Sequence, residues 1–433
     1  MSPTNNRRLK TQLLAGLVLA CSQLAVSASA EPLPQQSTAK HMGVATCASS
    51  QCHGSTFPRD GVTVQQNEYV VWTQSDPHSR SFDTLRSDAS KAMAARLALG
   101  SPVKASMCLD CHADNVPAEQ HGEKFQVSDG VGCEACHGGA EQWLATHYNG
   151  TDRSAHMYPT AKIEQRATLC LSCHLGTNDK FATHRLMAAG HPRLSFELDT
   201  FSELWNKAGR QPHYLVDADY VGRKGEERHI DTWATGLLEE GRQRMLLVMG
   251  RTLDANRLFP ELGLYDCHAC HRSMQKIDWR ALPRHGGAGP GVPFLNDGAL
   301  VMILAIARAA LPDDANDYEA ALERLHAAGG LGAEETVAAA RSIESLLTQM
   351  QERVQSQGID RKAESILQEL LSLGADGEFL DYISAEHAFL AVQMLAYELR
   401  DTALIDRLDR LAASLDNDER YQARLFADLL ARQ

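Results

Sequence analysis

Ten of the eleven cysteines are arranged in pairs, and a histidine directly follows the second cysteine of each pair. Four groups have the pattern Cys-x-x-Cys-His: Cys108, Cys111 and His112; Cys133, Cys136 and His137; Cys170, Cys173 and His174; and Cys267, Cys270 and His271. On one turn of helix, the two thiols and the imidazole that follows them reach the same side. Two thioether bonds and one axial nitrogen attach a c-type haem, so the pattern predicts four haem c sites.

A fifth group consists of Cys47, Cys52 and His53, with four residues between its cysteines. This Cys-x4-Cys-His spacing needs a looser turn, but it allows the same bonds to be made. The sequence therefore predicts five covalently attached haems c. The five histidines that end the groups are the predicted proximal iron ligands, and the pairing uses every cysteine after residue 46.

Zinc binding and disulfide formation are the alternative uses of these cysteines. Cys108, Cys111, Cys133 and Cys136 have the spacing of a four-cysteine zinc site. Ten cysteines in an exported chain also suffice for five disulfides. Neither alternative gives a role to the histidine after every second cysteine, so we favour haem.

Thirteen further histidines compete for the distal positions of the five irons. We predict distal ligands at His78, which follows an Asp-Pro turn, and at His147, His191, His121 and His184. Surface or capping roles are expected for His41, His156, His213, His229 and His285. We expect His268 to point to solvent, and His326 and His387 to be surface or packed residues of helices.

The first thirty residues resemble an export signal. Arg7, Arg8 and Lys10 precede an apolar run over 13–20, and Ala28-Ser-Ala30 provides a small-residue cleavage site. No run reaches the about 18 to 20 apolar residues that cross a bilayer. The sequence thus predicts a periplasmic protein without a transmembrane span, and Cys21 leaves lipid anchoring open as a minor alternative.

The charge balance is acidic, with a formal net charge of -13 that would become -16 without residues 1–30. An acidic surface argues against binding to nucleic acid or anionic lipid. It favours redox partners with a basic face, although acidity also serves solubility alone.

The composition changes near residue 293. We predict a multihaem domain over 31–285 with little regular structure, a Gly/Pro-rich linker over 286–293, and an all-helical domain over 294–433. Apolar residues at helical spacing occur at Ile343, Leu346, Leu347, Met350 and Val354; at Ile366, Leu367, Leu370 and Leu371 before Gly374; and at Leu404, Leu408 and Leu411. The segment 300–307 is apolar on all sides and predicts a buried helix. The predicted fold class is mostly α.

The order of features over about 40–215 resembles the cytochrome c-554 family. A first Cys-His site is followed by Trp72 and His78, then by the site at Cys108, the phrase Gly130-Val-Gly-Cys133-Glu-Ala-Cys136-His137-Gly138, a further histidine and the site at Cys170. The wide first motif, the fifth site at Cys267 and the long helical tail depart from the family pattern.

The resemblance implies a mostly helical protein around stacked haem pairs that passes electrons between periplasmic enzymes. It also implies two histidine ligands at three haems and no distal ligand at the second, which would leave an open iron at His112. His121 is a candidate to close that iron.

Three functional hypotheses follow. The first is a pure electron carrier with two histidines at every iron. The second is a haem oxidoreductase that acts on a small nitrogen or sulfur compound at the His112 site, with Lys124 and Arg153 as candidate cations; we assign no catalytic residue for it. In the third, the helical tail docks the cytochrome onto a larger redox complex, or simply covers the core of the haem domain.

Overall fold

A computed structural model describes residues 32–59, 64–148, 155–207, 217–226, 228–252, 260–271 and 294–431. These ranges contain nineteen α-helices, short 3-10 turns and, instead of strands, two isolated β-bridges. The predicted mostly α class is confirmed. The predicted signal sequence over 1–30, including Cys21, and the predicted linker over 286–293 lie outside the described residues.

The part of the chain that carries the first four cysteine motifs forms ten short helices joined by turns. They are α1 (Val44–Cys47), α2 (Glu68–Ser75), α3 (Ser81–Thr84), α4 (Asp88–Arg96), α5 (Ser106–His112), α6 (Cys133–His137), α7 (Ile163–His174), α8 (His184–Ala188), α9 (Leu198–Lys207) and α10 (Ala218–Lys224). Buried apolar residues here form several small clusters rather than one core. Such small clusters fit a region whose interior depends on something besides side chains.

The C-terminal part is built from longer helices. They are α11 (His229–Thr252), α12 (Gly298–Ala310), α13 (Pro312–Ala328), α14 (Ala333–Gln357), α15 (Ala363–Ala375), α16 (Tyr382–Leu399), α17 (Thr402–Ile405), α18 (Leu408–Ala413) and α19 (Ala423–Ala431). Residues 298–307 of α12 are buried on every side, as their uniformly apolar sequence predicts.

Two details of this part differ from the sequence prediction. Leu404 and Leu408 lie in two short helices, α17 and α18, rather than in one. Gly374 does not end its helix, because α15 continues to Ala375. A side chain at Gly374 would collide with Leu430 of α19, so this glycine allows the close approach of two helices.

The 24-residue helix α11 is the main feature that the sequence did not predict. It lies within the predicted haem domain, yet Trp233, Leu237 and Leu247 share one apolar core with α12 to α16. The other side of α11 contacts α7, which carries the fourth cysteine motif. This helix therefore joins the motif-bearing region to the C-terminal helices, and the domain division at 286–293 stays a prediction.

Within the described residues, no helix has both the length and the apolarity that a membrane span requires.

Candidate haem-binding sites

The cysteine motifs lie on tight turns, as their spacing requires. Cys108 and Cys133 belong to α5 and α6, Cys170 to the end of α7, and Cys267 begins a 3-10 turn. In each of the three helical motifs, the histidine is the last residue of the helix. Two thiols and an imidazole are therefore presented from one turn of backbone.

The wider first motif also brings its histidine close to its first cysteine, although its backbone forms a different turn. The amide of His53 donates to the carbonyl of Cys47 at 3.2 Å, across six residues. The extra residues bulge outward, where the amides of Cys52 and Gly54 both donate to Ser49. The looser turn predicted for Cys-x4-Cys-His is thus present, and it brings His53 back beside Cys47.

The structure places four of the motif histidines opposite another histidine. The ring centroids are 6.2 Å apart for His53 and His147, 6.1 Å for His174 and His78, 6.4 Å for His112 and His191, and 6.2 Å for His271 and His184. A metal–imidazole bond is about 2 Å long, so a separation of about 6 Å allows two rings to bind one metal between them. Each pair joins a predicted proximal ligand to a predicted distal one.

The second ring nitrogen of most of these histidines is already bound. Nδ1 of His53 bonds Glu68 at 2.8 Å, and Nδ1 of His78 bonds Asp76 at 2.9 Å. Backbone carbonyls bind Nδ1 of three others: His112 at 3.1 Å, His147 at 3.0 Å and His191 at 2.8 Å. Such partners fix the ring of a metal-binding histidine and leave Nε2 for the metal.

The surroundings of the histidine rings shift their pKa values in opposite directions. The bond to Glu68 raises the pKa of His53, whereas burial lowers the pKa of His112 and of His174. A lowered pKa keeps an imidazole neutral, the form that binds a metal.

His191, and not His121, lies opposite His112. Nε2 of His121 is bonded to the carbonyl of Val116 at 2.9 Å, and the ring stacks on Phe125 at 4.1 Å. The nitrogen that a distal ligand offers is thus already used in His121. At His112, where the family resemblance implies an open position, the ring of His191 lies 6.4 Å away.

The remaining histidines have other partners. His268 does not point freely to solvent: Nε2 lies 2.7 Å from the carbonyl of Asp418, and Nδ1 accepts from the amide of Tyr382. Nδ1 of His229 bonds Asp199 at 2.9 Å. His326 and His387 are buried in the C-terminal helices. His213, His285 and the candidate cation Arg153 lie outside the described residues.

His41 is a candidate that the sequence analysis did not favour. Its side chain is fully buried, and Nδ1 bonds the carboxylate of Asp114 at 2.7 Å. Nε2 of His41 makes no hydrogen bond of good geometry within the described residues, although the backbone of Pro34 is close enough to the ring to help raise its pKa. The following amides of Met42 and Gly43 donate to Glu134 of the third motif at 2.7 Å. A buried ring with an anchored Nδ1 is typical of a ligand, but its sequence context gave no signal.

The cysteines of different motifs approach one another in pairs. A hydrogen bond with Cys47 is the largest cause that raises the pKa of the Cys133 thiol, and one with Cys173 has the same effect on Cys111. Since Cys111 and Cys133 face different partners, the four-cysteine zinc arrangement is not supported. The ten described cysteines are free thiols, and no group of three or more metal-binding side chains converges among the residues described.

The comparison with known families agrees with these motifs. Residues 46–138 match the family described as cytochrome c554 and c-prime. This part of the chain is similar to the cytochrome c554 family. The match contains the first three motifs and ends before the fourth, so it is shorter than the resemblance noted over about 40–215. No curated protein and no solved structure matches the chain significantly.

The match carries a coarse functional conclusion. It indicates covalently bound haem c and a role in electron transfer for the matched region. The ring pairs fit that group, because their centroid separations of 6.1 to 6.4 Å match the distance that two imidazoles keep when they bind one metal. The number of haems and the individual ligands stay predictions.

Proposed function

We propose that the chain is a periplasmic pentahaem c-type cytochrome that transfers electrons between redox partners through bis-histidine haems. The observation that carries the proposal is the set of four imidazole pairs with centroids 6.1 to 6.4 Å apart. Haem c supplies a one-electron couple whose behaviour depends on its axial ligands. The chain supplies those ligands from turns that are already ordered.

Fixed ligation favours a carrier over an enzyme. Anchored Nδ1 atoms restrain the rings of His53, His78 and His112, so little rearrangement accompanies a change of charge at the metal. An oxidoreductase would need an open metal position, and His112 was the candidate for it. Because His191 faces His112 at 6.4 Å, we do not favour catalysis at that site.

The relative placement of the sites supports transfer along a series. The first and third sites meet at Cys47 and Cys133, and the second and fourth meet at Cys111 and Cys173. Burial, followed by the nearby thiols of Cys170 and Cys173, raises the pKa of the Cys136 thiol, so the third site is also close to the fourth. His174 of the fourth site and Cys267 of the fifth line a common cavity. We therefore propose the order first, third, fourth, fifth, with the second beside the fourth.

For the distal ligand of the third site we propose His41, whereas His121 was a predicted distal ligand and the candidate to close the iron at His112. The support is its fully buried ring, its anchored Nδ1 and its position next to Glu134 of the third motif. Burial lowers the pKa of His41, but the Asp114 carboxylate outweighs burial and the net pKa is raised. An anchoring carboxylate of this kind also increases the basicity of a metal-binding imidazole.

Two measurements on the protein produced with haem-attachment machinery test the proposal. The mass of the intact chain should show five haems and loss of residues 1–30. The paramagnetic resonance spectrum of the oxidised protein should contain low-spin signals and no stoichiometric high-spin feature near g of about 6. A high-spin feature that nitric oxide removes would instead favour an enzyme, and a smaller mass would refute the pentahaem assignment.

A further inference from the structure

Lys180 lies at the point where the second and fourth cysteine motifs meet. Its ammonium nitrogen is 3.1 Å from the sulfur of Cys173, which belongs to the fourth motif. The same nitrogen donates to the backbone carbonyl of Asp110 at 3.3 Å, between the two cysteines of the second motif. One cation therefore contacts two of the predicted haem attachment turns.

The loop between α7 and α8 fixes the backbone of Lys180 in this place. The amide of Thr177 donates to the carbonyl of Lys180 at 2.6 Å, and Oγ1 of Thr177 accepts from the amide of Lys180 at 3.3 Å. Gly176 has a φ of 113°, and a Cβ there would lie 2.8 Å from the same carbonyl, so the turn requires glycine. Arg251 of α11 donates to the carbonyls of Thr177 and Asn178 at 3.2 and 3.0 Å. Contacts within the loop and with α11 thus determine where Lys180 lies.

Lys180 has no ion pair within the described part of the chain. Among these residues, its ammonium bonds the carbonyl of Asp110 and the sulfur of Cys173, which becomes an uncharged thioether when a haem is attached. The carboxylate of Asp110 is engaged elsewhere, since Asn115 donates to it at 2.5 Å. Lys180 is also half-buried, and salt screens a half-buried charge less than an exposed one. Its positive charge therefore acts at the junction of the two motifs.

The charge of Lys180 affects the cysteines of both motifs. A hydrogen bond with Cys111 is the largest cause that lowers the pKa of the Cys173 thiol, and Lys180 lowers it further against the effect of burial. The bond with Cys173 and burial raise the pKa of Cys111, and Lys180 opposes that rise. The negative charge of Asp110 raises the pKa of Cys111, so it offsets part of the effect of Lys180 at the second motif. We expect the stronger electrostatic effect at the fourth.

We propose that Lys180 raises the reduction potentials of the haems at the second and fourth motifs, an inference that rests on the pentahaem carrier proposed above. Reduction adds one electron to a haem iron, and a fixed cation nearby stabilises the added negative charge. The fourth site lies in the middle of the proposed series, with the second beside it. A higher potential at these two haems favours electrons in the middle of the series over its first site.

The test is a spectroelectrochemical titration of the full holoprotein and of the variants K180M and K180R. K180M removes the charge and keeps a side chain of similar length, whereas K180R keeps the charge. In K180M we expect the equilibrium constant for reduction of the fourth haem to fall about threefold, which is about 28 mV for one electron. The potential of the second haem should fall by less, and K180R should restore most of both potentials.

Two ligand variants identify these components of the titration. H78A removes the ring opposite His174, and H191A removes the ring opposite His112. Each should change the absorption spectrum of one haem, the fourth in H78A and the second in H191A. The potentials that K180M lowers must belong to these two components.

K91M is the matched control, because Lys91 is exposed and its ammonium bonds Asp88 at 3.0 Å rather than a cysteine motif. Unchanged potentials of the second and fourth haems in K180M would overturn the inference. An equal fall of all five potentials, or a fall in K180R or K91M as large as that in K180M, would also overturn it. Peptide masses of the wild-type protein that show no haem at the second or fourth motif would instead refute the proposed function on which it rests.

Discussion

At the scale of single residues, the nitrogen that a histidine leaves unbound separates candidate ligands from other histidines. His53 and His78 have Nδ1 bonded to a carboxylate, so Nε2 is the nitrogen left for another partner. His121 has the opposite arrangement, since Nε2 is the atom that bonds Val116. Spacing along the chain cannot distinguish these two states.

Replacement of His191 by alanine should open the iron at the second site. Removing the ring that lies 6.4 Å from His112 would leave one axial ligand, and the oxidised protein should gain a high-spin signal from about one haem in five. Paramagnetic resonance with and without nitric oxide measures the change. His121→Ala is the matched control and should leave the spectrum low-spin; the reverse pattern would show that His121 is the ligand.

The raised pKa of Glu197 predicts that the free energy of unfolding depends on pH. Its carboxylate accepts bonds from the amides of Asp199 and Thr200 at 2.8 Å, but burial outweighs them and raises the pKa to about 7. Between the ordinary pKa of about 4.5 and about 7, the native state then binds a proton that the unfolded state does not, so the free energy of unfolding falls as pH rises.

Glu197→Gln should remove that slope. Relative to wild type, the variant should become more stable from pH 4.5 to 7, by up to about 1.4 kcal/mol for each unit of pKa shift. Urea unfolding at a series of pH values gives the difference. The exposed Glu334→Gln should show a constant difference, and a constant difference for Glu197→Gln as well would contradict the assigned pKa shift.

At the scale of elements, α11 shows why a buried helix escaped prediction. Glu239, Glu240, Gln243 and Arg244 are buried although they are polar, so the helix lacks an apolar stripe with a polar opposite face. Ion pairs offset their burial: Arg244 bonds Glu240, and Arg242 bonds Glu239 at 2.8 Å. Packing against neighbouring helices therefore stabilises this sequence as a helix.

Truncation of a buried side chain of α12 should sharply lower the free energy of unfolding of the C-terminal helices. Leu300 is fully buried, so Leu300→Ala should cost about 2 to 5 kcal/mol through lost burial and the cavity left behind. Leu331→Ala, at a side chain that is 73% exposed, should have almost no effect. Chemical unfolding followed by far-ultraviolet circular dichroism compares the two, and similar costs would show that α12 is not the centre of this core.

At the scale of the whole molecule, the chain combines an acidic charge with sites that follow one another in space. The net charge of -13 favours encounter with basic proteins over long distances. The cysteines at the two ends of the proposed series, Cys52 and Cys270, are exposed, whereas Cys111, Cys136 and Cys173 are only partly accessible. We therefore expect partners to exchange electrons at the first and fifth sites.

The rate of electron exchange should depend on salt in a manner set by the charge of the partner. With a small basic redox protein, the second-order rate constant should fall as ionic strength rises from about 0.01 to 0.15 M, because the Debye length shortens from about 30 to 8 Å. Stopped-flow mixing measures this. Ferricyanide, an anion, is the control and should react faster with added salt; equal salt responses would show that net charge does not steer encounter.

The sequence alone predicted the haem attachment sites, and it predicted the mostly helical class that the structure confirms. Covalent attachment depends on residues within one turn of backbone, so Cys108, Cys111 and His112 are recognisable from spacing alone. The buried helix α12 was equally clear, because its apolar run has no polar face. Both are local properties, and the tertiary structure adds nothing needed to recognise them.

Only the tertiary structure decided which histidine lies beside which. His53 and His147 are far apart in sequence, and their 6.2 Å approach depends on the packing of several turns. The polar residues of α11 gave no sign in the sequence that this helix is buried. Its packing partners, α7 and α14, come from other segments of the chain. Contacts between distant segments are set by packing, which local sequence does not encode.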